Sequence, residues 1–245
     1  MTEAWKERGR SWFLPLARGL AARGVTPDAL TIAGLAFSLL AALLFGRGDF
    51  IPAAFVLGLT GLCDMLDGDV ARLSNSSSRF GAFLDSTLDR AGEGAVFSGI
   101  ACYYFARAQG AALWLEGNGS GSRFGDPEGR STAVLALASL ILSFLVSYTR
   151  ARAEGLGFDC KVGIMERPER LLLLILGALL GHQFMPGVLG ILFLLTLVTV
   201  LQRVYHVRRL TRPTSAPHPQ AIRERSDRGP VPEPGEPGSP DTGGT

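Results

Sequence analysis

The sequence predicts an all-α integral membrane protein with six transmembrane helices, preceded by an N-terminal interfacial amphipathic helix. Three observations carry this expectation. Six apolar runs recur along the chain, several of them approaching the roughly 20 residues that cross a bilayer core. Hydrophobic residues make up 47% of the 245 residues although the C-terminal stretch is strongly polar, so the apolar content upstream leaves too few polar faces for a soluble shell. Lys and Arg are also distributed unevenly between alternate inter-run segments, as they are when they mark the cytoplasmic side.

Residues 1–27 read as the interfacial helix. Trp5, Trp12, Phe13, Leu16 and Leu20 suit a lipid-facing side, and Lys6, Arg10 and Arg18 suit headgroups. The segment is too charged for a cleavable signal peptide and lacks its long apolar stretch, so none is expected. Thr26 is placed as N-cap of the first spanning helix, Pro27 at its first helical position, and Asp28 where a negative charge complements the helix dipole.

The spanning helices then follow in order. Leu30–Phe45 and Phe50–Cys63 supply the first two. Gly94–Ala106 supplies the third, which reaches spanning length only by extension back through Asp85 and Asp89. Residues 107–130 form a polar loop containing Glu116-Gly117-Asn118-Gly119-Ser120, expected to be flexible and non-cytoplasmic. Ser131–Tyr148 is the fourth helix, Leu171–Leu180 the fifth, extended back through Arg167 and Arg170, and Phe184–Leu201 the sixth. Residues 211–245 are Pro, Gly, Ser and charge, which cannot bury enough surface to fold, and are expected to form a disordered cytoplasmic tail. No internal repeat interrupts the single membrane domain of residues 28–210.

The basic residues orient this domain. One side collects Lys6 to Arg23, Arg72, Arg79, Arg150, Arg152, Lys161, Arg167, Arg170, Arg203, Arg208, Arg209 and Arg212, against Arg47, Arg107, Arg123 and Arg130 on the other. Both termini are therefore expected on the cytoplasmic face of the cell membrane. The net charge of +2 is uninformative beside this sidedness, and no nucleic-acid partner is expected. Cys63, Cys102 and Cys160 lack ligand-like spacing, and with only three histidines in the chain a Cys/His zinc site is not expected.

The chemistry is concentrated in Asp64-x-x-Asp67-Gly68-x-x-Ala71-Arg72, followed after eight residues by Gly81-x-x-x-Asp85-x-x-x-Asp89. Four carboxylates among apolar segments are costly unless paired, hydrated or bound to a cation. Asp64 and Asp67 are three apart, and Gly81, Asp85 and Asp89 recur every four, so each set shares a helical face. Two such faces side by side make a site for hard cations, Mg²⁺ or Mn²⁺, and four carboxylates suffice for two ions that clamp a phosphoryl group in transfer. Gly68 permits close approach of a phosphate or nucleotide to the backbone, Arg72 offers a guanidinium to phosphate oxygens, and Ala71 and Gly81 keep the helix surfaces low.

The complete pattern resembles the signature of the CDP-alcohol phosphotransferases, integral membrane enzymes of phospholipid synthesis, at all eight fixed positions. The resemblance implies that Asp64, Asp67 and Asp85 ligate metal, that Asp89 contributes to the metal site and acts as general base, and that Gly68, Ala71 and Arg72 contact the CDP moiety. It further implies CDP-diacylglycerol as lipid substrate, attack of an alcohol on the β-phosphorus with release of CMP, and a homodimer. The Thr26-Pro27-Asp28-Ala29-Leu30-Thr31 segment departs from the family's pattern, with Asp for Asn at residue 28.

Two further stretches, Ser147-Tyr148-Thr149-Arg150-Ala151-Arg152-Ala153-Glu154 and Glu166-Arg167-Pro168-Glu169-Arg170, are similar to those of the phosphatidylinositol phosphate synthase branch. That similarity implies inositol 1-phosphate as acceptor, with Arg150, in place of a Lys, and Arg170 binding its phosphate. A further basic residue from the last helix is expected nearby, Arg208 or Arg209. Arg152, Lys161 and Arg167 are expected to be topological anchors only. Glycerol 3-phosphate is the alternative acceptor, and a carboxylate-based ion transporter is the alternative of a different class. The latter would have its ionisable groups near the midplane instead of beside Gly68 and Arg72 at one face.

Overall fold

The computed structural model describes residues 3–74, 76, 78–109 and 127–211, and for residues 3–12 and 127 the backbone only. Within them the chain forms seven helices and no strand: α1 (Glu3–Ala22), α2 (Pro27–Arg47), α3 (Phe50–Leu73), α4 (Arg79–Ala108), α5 (Pro127–Gly155), α6 (Arg167–Leu180) and α7 (Met185–Leu210). The chain divides into two units, Met1–Val207 and Arg208–Thr245. Of the second unit only Arg208–Thr211 are described, where the Thr211 hydroxyl donates to the Arg208 carbonyl. The expected tail, apart from Thr211, and the middle of the expected 107–130 loop lie outside the described residues. The ends of that loop are helical: Arg107 and Ala108 finish α4, and 127–130 begin α5.

Every apolar run of the sequence appears as a helix, but the helices are unequal. α2, α3, α5 and α7 are long and apolar enough to cross a membrane. α4 has 30 residues, yet its first half carries Asp85, Asp89, Arg90 and Glu93. α6 has only 14 residues, a rise of about 21 Å against a hydrocarbon core of about 30 Å. The chain is a membrane protein by these apolar helices, and α4 and α6 are the two whose polar starts set them apart.

Local signals fix the helix ends. Thr26, extended at φ −84° and ψ 149°, accepts from the Ala29 N–H at 3.3 Å, with Pro27 following it as expected. Gly48 closes α2 in the left-handed region at φ 94°, its N–H reaching the Leu44 and Phe45 carbonyls. Ser78 caps α4 by accepting from Gly81 N–H at 2.8 Å.

The main core gathers Phe45, Phe50, Leu57, Phe97, Ile100, Leu189 and Leu192. Its aromatic residues meet edge to face, Phe50 lying 5.3 Å from Phe45 and 5.0 Å from Tyr103, the arrangement that ring quadrupoles favour. A second cluster of Ala17, Leu66 and Val70 docks α1 onto α3. Phe13 and Leu20, expected to face lipid, are instead packed partly buried against this cluster, because Ala17 lets α1 lie close to the α3 surface. Leu16 remains 47% exposed on the other side of α1.

α2 packs against both α3 and α4, and small residues set that spacing. A Cβ at Gly99 would stand 2.2 Å from the Ala42 carbonyl oxygen, and one at Gly92 would stand 2.8 Å from Ser38 Oγ. Close backbone approach of this kind is how helices associate where lipid removes the hydrophobic drive between them.

Gly99→Ala is therefore expected to force α2 and α4 apart at a cost of about 1–3 kcal/mol, read as a thermal midpoint lowered by several degrees in detergent. Gly58→Ala, where a Cβ meets nothing within 4 Å, is expected to leave the midpoint unchanged or slightly raised.

Candidate metal centre and active site

The aspartate pattern splits over two helices, Asp64 and Asp67 on α3 and Asp85 and Asp89 on α4. α2 holds the halves in register, since it contacts both helices and its Thr31 hydroxyl donates to Asp67 Oδ2 at 3.1 Å. Asp67 is 8% exposed. A Cβ at Gly81 would come 3.1 Å from Oγ of the capping Ser78 and 3.4 Å from Asp28 Oδ1 of α2, so glycine leaves room for the cap at the start of α4.

The structure brings together three of the four expected metal ligands. One carboxylate oxygen each from Asp64, Asp67 and Asp85 lies within 4.8 Å of the others. At such a distance two carboxylates repel by roughly 3 kcal/mol at an effective dielectric constant of about 20. Asp85 Oδ1 is buried with no hydrogen-bond partner among the described residues. An all-oxygen donor set with an orphaned buried oxygen is what a hard divalent cation satisfies, so these residues fit the metal that the sequence implies.

Asp89 lies one turn further along α4 and is held differently. Arg167 Nη2 donates to Asp89 Oδ1 at 2.6 Å while Arg167 Nη1 donates to Asp64 Oδ1 at 2.5 Å. The expectation that Arg167 is only a topological anchor is corrected here. α6 begins inside the site, and its first residue forks between carboxylates of α3 and α4. Spacing hinted at this, since Arg167 and Arg170 are three apart, as are residues that share a helical face.

Arg170 repeats the motif one turn deeper. It is 2% exposed and donates through Nε and Nη2 to Glu93 at 2.8 and 3.3 Å, and through Nη1 to the Met165 carbonyl at 3.3 Å. Ser143 of α5 donates to the same Glu93 at 2.8 Å. Glu93 was not singled out in the sequence, although it continues the four-residue recurrence of Asp85 and Asp89. A cavity of ≈ 30 Å³ lies beside this pair, lined by Ser38, Thr60, Glu93, Arg167 and Arg170 among others.

The expected CDP contacts also converge. Gly68, Ala71 and Arg72 line one open cavity of ≈ 210 Å³ whose walls include Asp67, Asp85, Ser78, Gly81 and Asp28. Arg72 is 60% exposed at its side chain and stands 3.7 Å from the buried Asp69. Asp28, given only a helix-dipole role in the sequence, is part of this wall.

The acceptor-phosphate candidates differ from one another. Arg150 ends α5 half-exposed, 2.9 Å from Glu154. The last-helix basic residue that joins this region is Arg203, which is 2% exposed and within electrostatic reach of Arg150, Arg170 and Glu166. Arg203 donates from Nε to the Val162 carbonyl at 2.8 Å and from Nη1 to the Val146 carbonyl. Thr199 accepts from Met165 N–H at 3.0 Å. α7 thereby pins the segment that delivers Arg167 and Arg170.

A model of the CDP-alcohol phosphatidyltransferase family matches residues 24–202. A phosphatidylinositol phosphate synthase of Mycobacteroides abscessus is 38% identical over 200 residues, covering 79% of this chain and 82% of the relative. Two crystal structures of the Mycobacterium tuberculosis phosphatidylinositol phosphate synthase, both 33% identical, share the fold. The form with CDP-DAG bound superposes with a TM-score of 0.67 over 84% of this chain and 96% of that one. The complex with manganese and citrate does so with 0.66 over 83% and 91%.

Removing one member of a buried ion pair leaves the other charge unpaired, at a cost of about 3–5 kcal/mol. Arg170→Met and Glu93→Met are each expected to lower the unfolding midpoint strongly, and the double variant to recover most of the loss. Additive losses in thermal unfolding would show that the two residues do not act as a pair.

Proposed function

The chain belongs to the CDP-alcohol phosphatidyltransferase family and is a phosphatidyltransferase. On that premise we propose that it transfers the phosphatidyl group of CDP-diacylglycerol to inositol 1-phosphate, releasing CMP. The observation that carries this reading is the ≈ 210 Å³ cavity, in which Gly68, Ala71 and Arg72 share walls with the metal candidates Asp67 and Asp85. The names of the relatives favour inositol phosphate over glycerol 3-phosphate as acceptor.

Each residue then takes a role. Asp64, Asp67 and Asp85 would hold one divalent cation, and Asp64, Asp85 and Asp89 a second, Mg²⁺ or Mn²⁺ in each case. Bound there, the cations neutralise the pyrophosphate and stabilise the charge on the departing CMP phosphate. Gly68 and Ala71 leave room for the nucleotide against the α3 backbone, and Arg72 swings from Asp69 to phosphate oxygens. Asp89 takes the proton of the acceptor hydroxyl as its oxygen bonds to the β-phosphorus and the bond to the CMP oxygen breaks. Arg150, Arg170 and Arg203 form the cationic end that draws in the acceptor phosphate. Glu93 fixes the orientation of Arg170 within that group.

Six spans are proposed for the domain of residues 28–210, α4 and α6 crossing with their polar starts at one boundary. Arg72, Arg150, Arg167 and Arg170 all belong to that boundary, which supports a cytoplasmic-facing site in the cell membrane. Lipid tails then stay in the bilayer while the soluble acceptor arrives from the cytoplasm. The family resemblance supports a homodimer.

Purified protein given CDP-diacylglycerol and Mn²⁺ is expected to release CMP fastest with inositol 1-phosphate, slowly or not at all with glycerol 3-phosphate, inositol or serine, and not at all in EDTA. Asp89→Asn is expected to reduce turnover by at least about 10²-fold, and Arg150→Ala to raise the acceptor KM about tenfold while leaving that of the lipid unchanged. Release driven by glycerol 3-phosphate and not by inositol 1-phosphate would sink the acceptor assignment.

A further inference from the structure

The fork of Arg167 between Asp64 and Asp89 is more than a brace. Its two nitrogens stand 2.5 and 2.6 Å from one oxygen of each carboxylate, so the guanidinium lies between the α3 and α4 acids and holds the charge that a cation shared by them would otherwise balance. Asp64 belongs at the same time to the three-carboxylate group with Asp67 and Asp85, and Asp89 does not. At one cation position Asp85 Oδ1 is orphaned, and Arg167 is bonded to Oδ1 of Asp64 but to neither Asp67 nor Asp85. The other is filled by a side chain of the protein.

We propose that Arg167 is the resident counter-cation of the second metal position, and that it makes the two positions unequal. This rests on the reading of the carboxylates as a two-cation site. The first ion enters among Asp64, Asp67 and Asp85 using the orphaned Asp85 Oδ1 and the Asp64 oxygen that Arg167 does not hold, so Arg167 keeps its bond to Asp89. The second gains Asp89 only by expelling Arg167, whose charge opposes its approach. The exchange is feasible for Arg167 and not for Arg170. Among the described residues the Arg167 side chain, 23% exposed, bonds only to carboxylates, whereas that of Arg170 is 2% exposed and also tied to the Met165 carbonyl. Once expelled, Arg167 remains beside the site as a cation free to meet an anionic substrate, which couples loading of the second ion to arrival of a phosphate-bearing ligand.

The test uses the full chain in detergent, with Mn²⁺ alone as probe and free Mn²⁺ read by electron paramagnetic resonance. Wild-type protein is expected to bind one ion first and a second at least about tenfold more weakly, and Arg167→Gln to tighten the second step by about tenfold or more with little change in the first. Asp85→Asn is expected to lose the first step. Should Arg167→Gln not fold, Arg167→Lys replaces it: one ammonium cannot fork to two carboxylates as a guanidinium does, so the second step is expected to tighten by a few-fold. An isotherm of either folded variant that superimposes on wild type, or a weaker second step, overturns the proposal. Two equal sites in the wild type overturn it alone, whereas no Mn²⁺ binding by the wild type overturns the metal reading as well.

Discussion

Negative charge accumulates along one face of α4, at Asp85, Asp89 and Glu93, and meets Asp64 and Asp67 of α3 inside a bundle whose other interior groups are mostly apolar. That charge has to be balanced where it stands, because burial of unpaired carboxylates costs more than a marginally stable fold can absorb. α6 balances it with two rungs of guanidinium. Arg170 meets Glu93 in the interior, and Arg167 meets Asp89 and Asp64 at the cavity. The deeper rung has extra bonds from Ser143 and to Met165, so it fixes the position of α6. Among the described residues the outer rung lacks such ties, and it lies beside the three-carboxylate group.

The rest of the fold is arranged to deliver those rungs. α7 holds the segment before α6 through Arg203 to the Val162 carbonyl and Thr199 to Met165 N–H, so the first residue of α6 arrives already oriented. α2 sets the opposite wall, with Thr31 on Asp67 and with Gly92 and Gly99 letting α4 approach its backbone. Side chains at either glycine would push α4 outward, and Asp85 and Asp89 would move with it. The helix contacts and the carboxylate geometry are therefore one constraint, expressed at two places along the same pair of helices.

Much of this was legible in the residues. The helix starts at Pro27 and Phe50 and the cap at Thr26 follow from spacing and residue type, which are local properties, whereas the grouping of Gly68, Ala71 and Arg72 with Asp67 and Asp85 was implied by the family resemblance. Arg167, Arg170 and Glu93 were harder to read, because positive residues at a membrane boundary have a topological explanation that periodicity cannot separate from ion pairing. Which role Arg167 takes depends on where α6 begins relative to α3 and α4, a tertiary fact. Arg203 was missed for a similar reason: a lone arginine near the end of an apolar run reads as a snorkelling anchor, yet its donors turn inward to carbonyls of Val146 and Val162. The packing of Phe13 and Leu20 against α3 likewise depends on a partner surface that an amphipathic pattern does not identify.

On the proposed function, the sign of the charge in the ≈ 210 Å³ cavity bears on the order of events. Its walls carry Asp28, Asp67 and Asp85 against the single cation of Arg72, which is largely exposed and stands near Asp69. A pyrophosphate entering such a cavity would meet net negative charge, and Arg72 alone does not reverse the balance. Divalent charge held among Asp64, Asp67 and Asp85 would reverse it, so on the proposed function the cation would precede or accompany the nucleotide. Asp28 then stands out as a carboxylate outside the metal cluster, able to accept hydrogen bonds but not to donate them. A carboxylate beside a polyanion is tolerable only if it faces the donors of the ligand, its hydroxyls or amine, and not its phosphates. Under the proposed function Asp67 and Asp85 with their cation would serve the phosphates, and Asp28 would suit the hydrogen-bond-donating part of the same molecule.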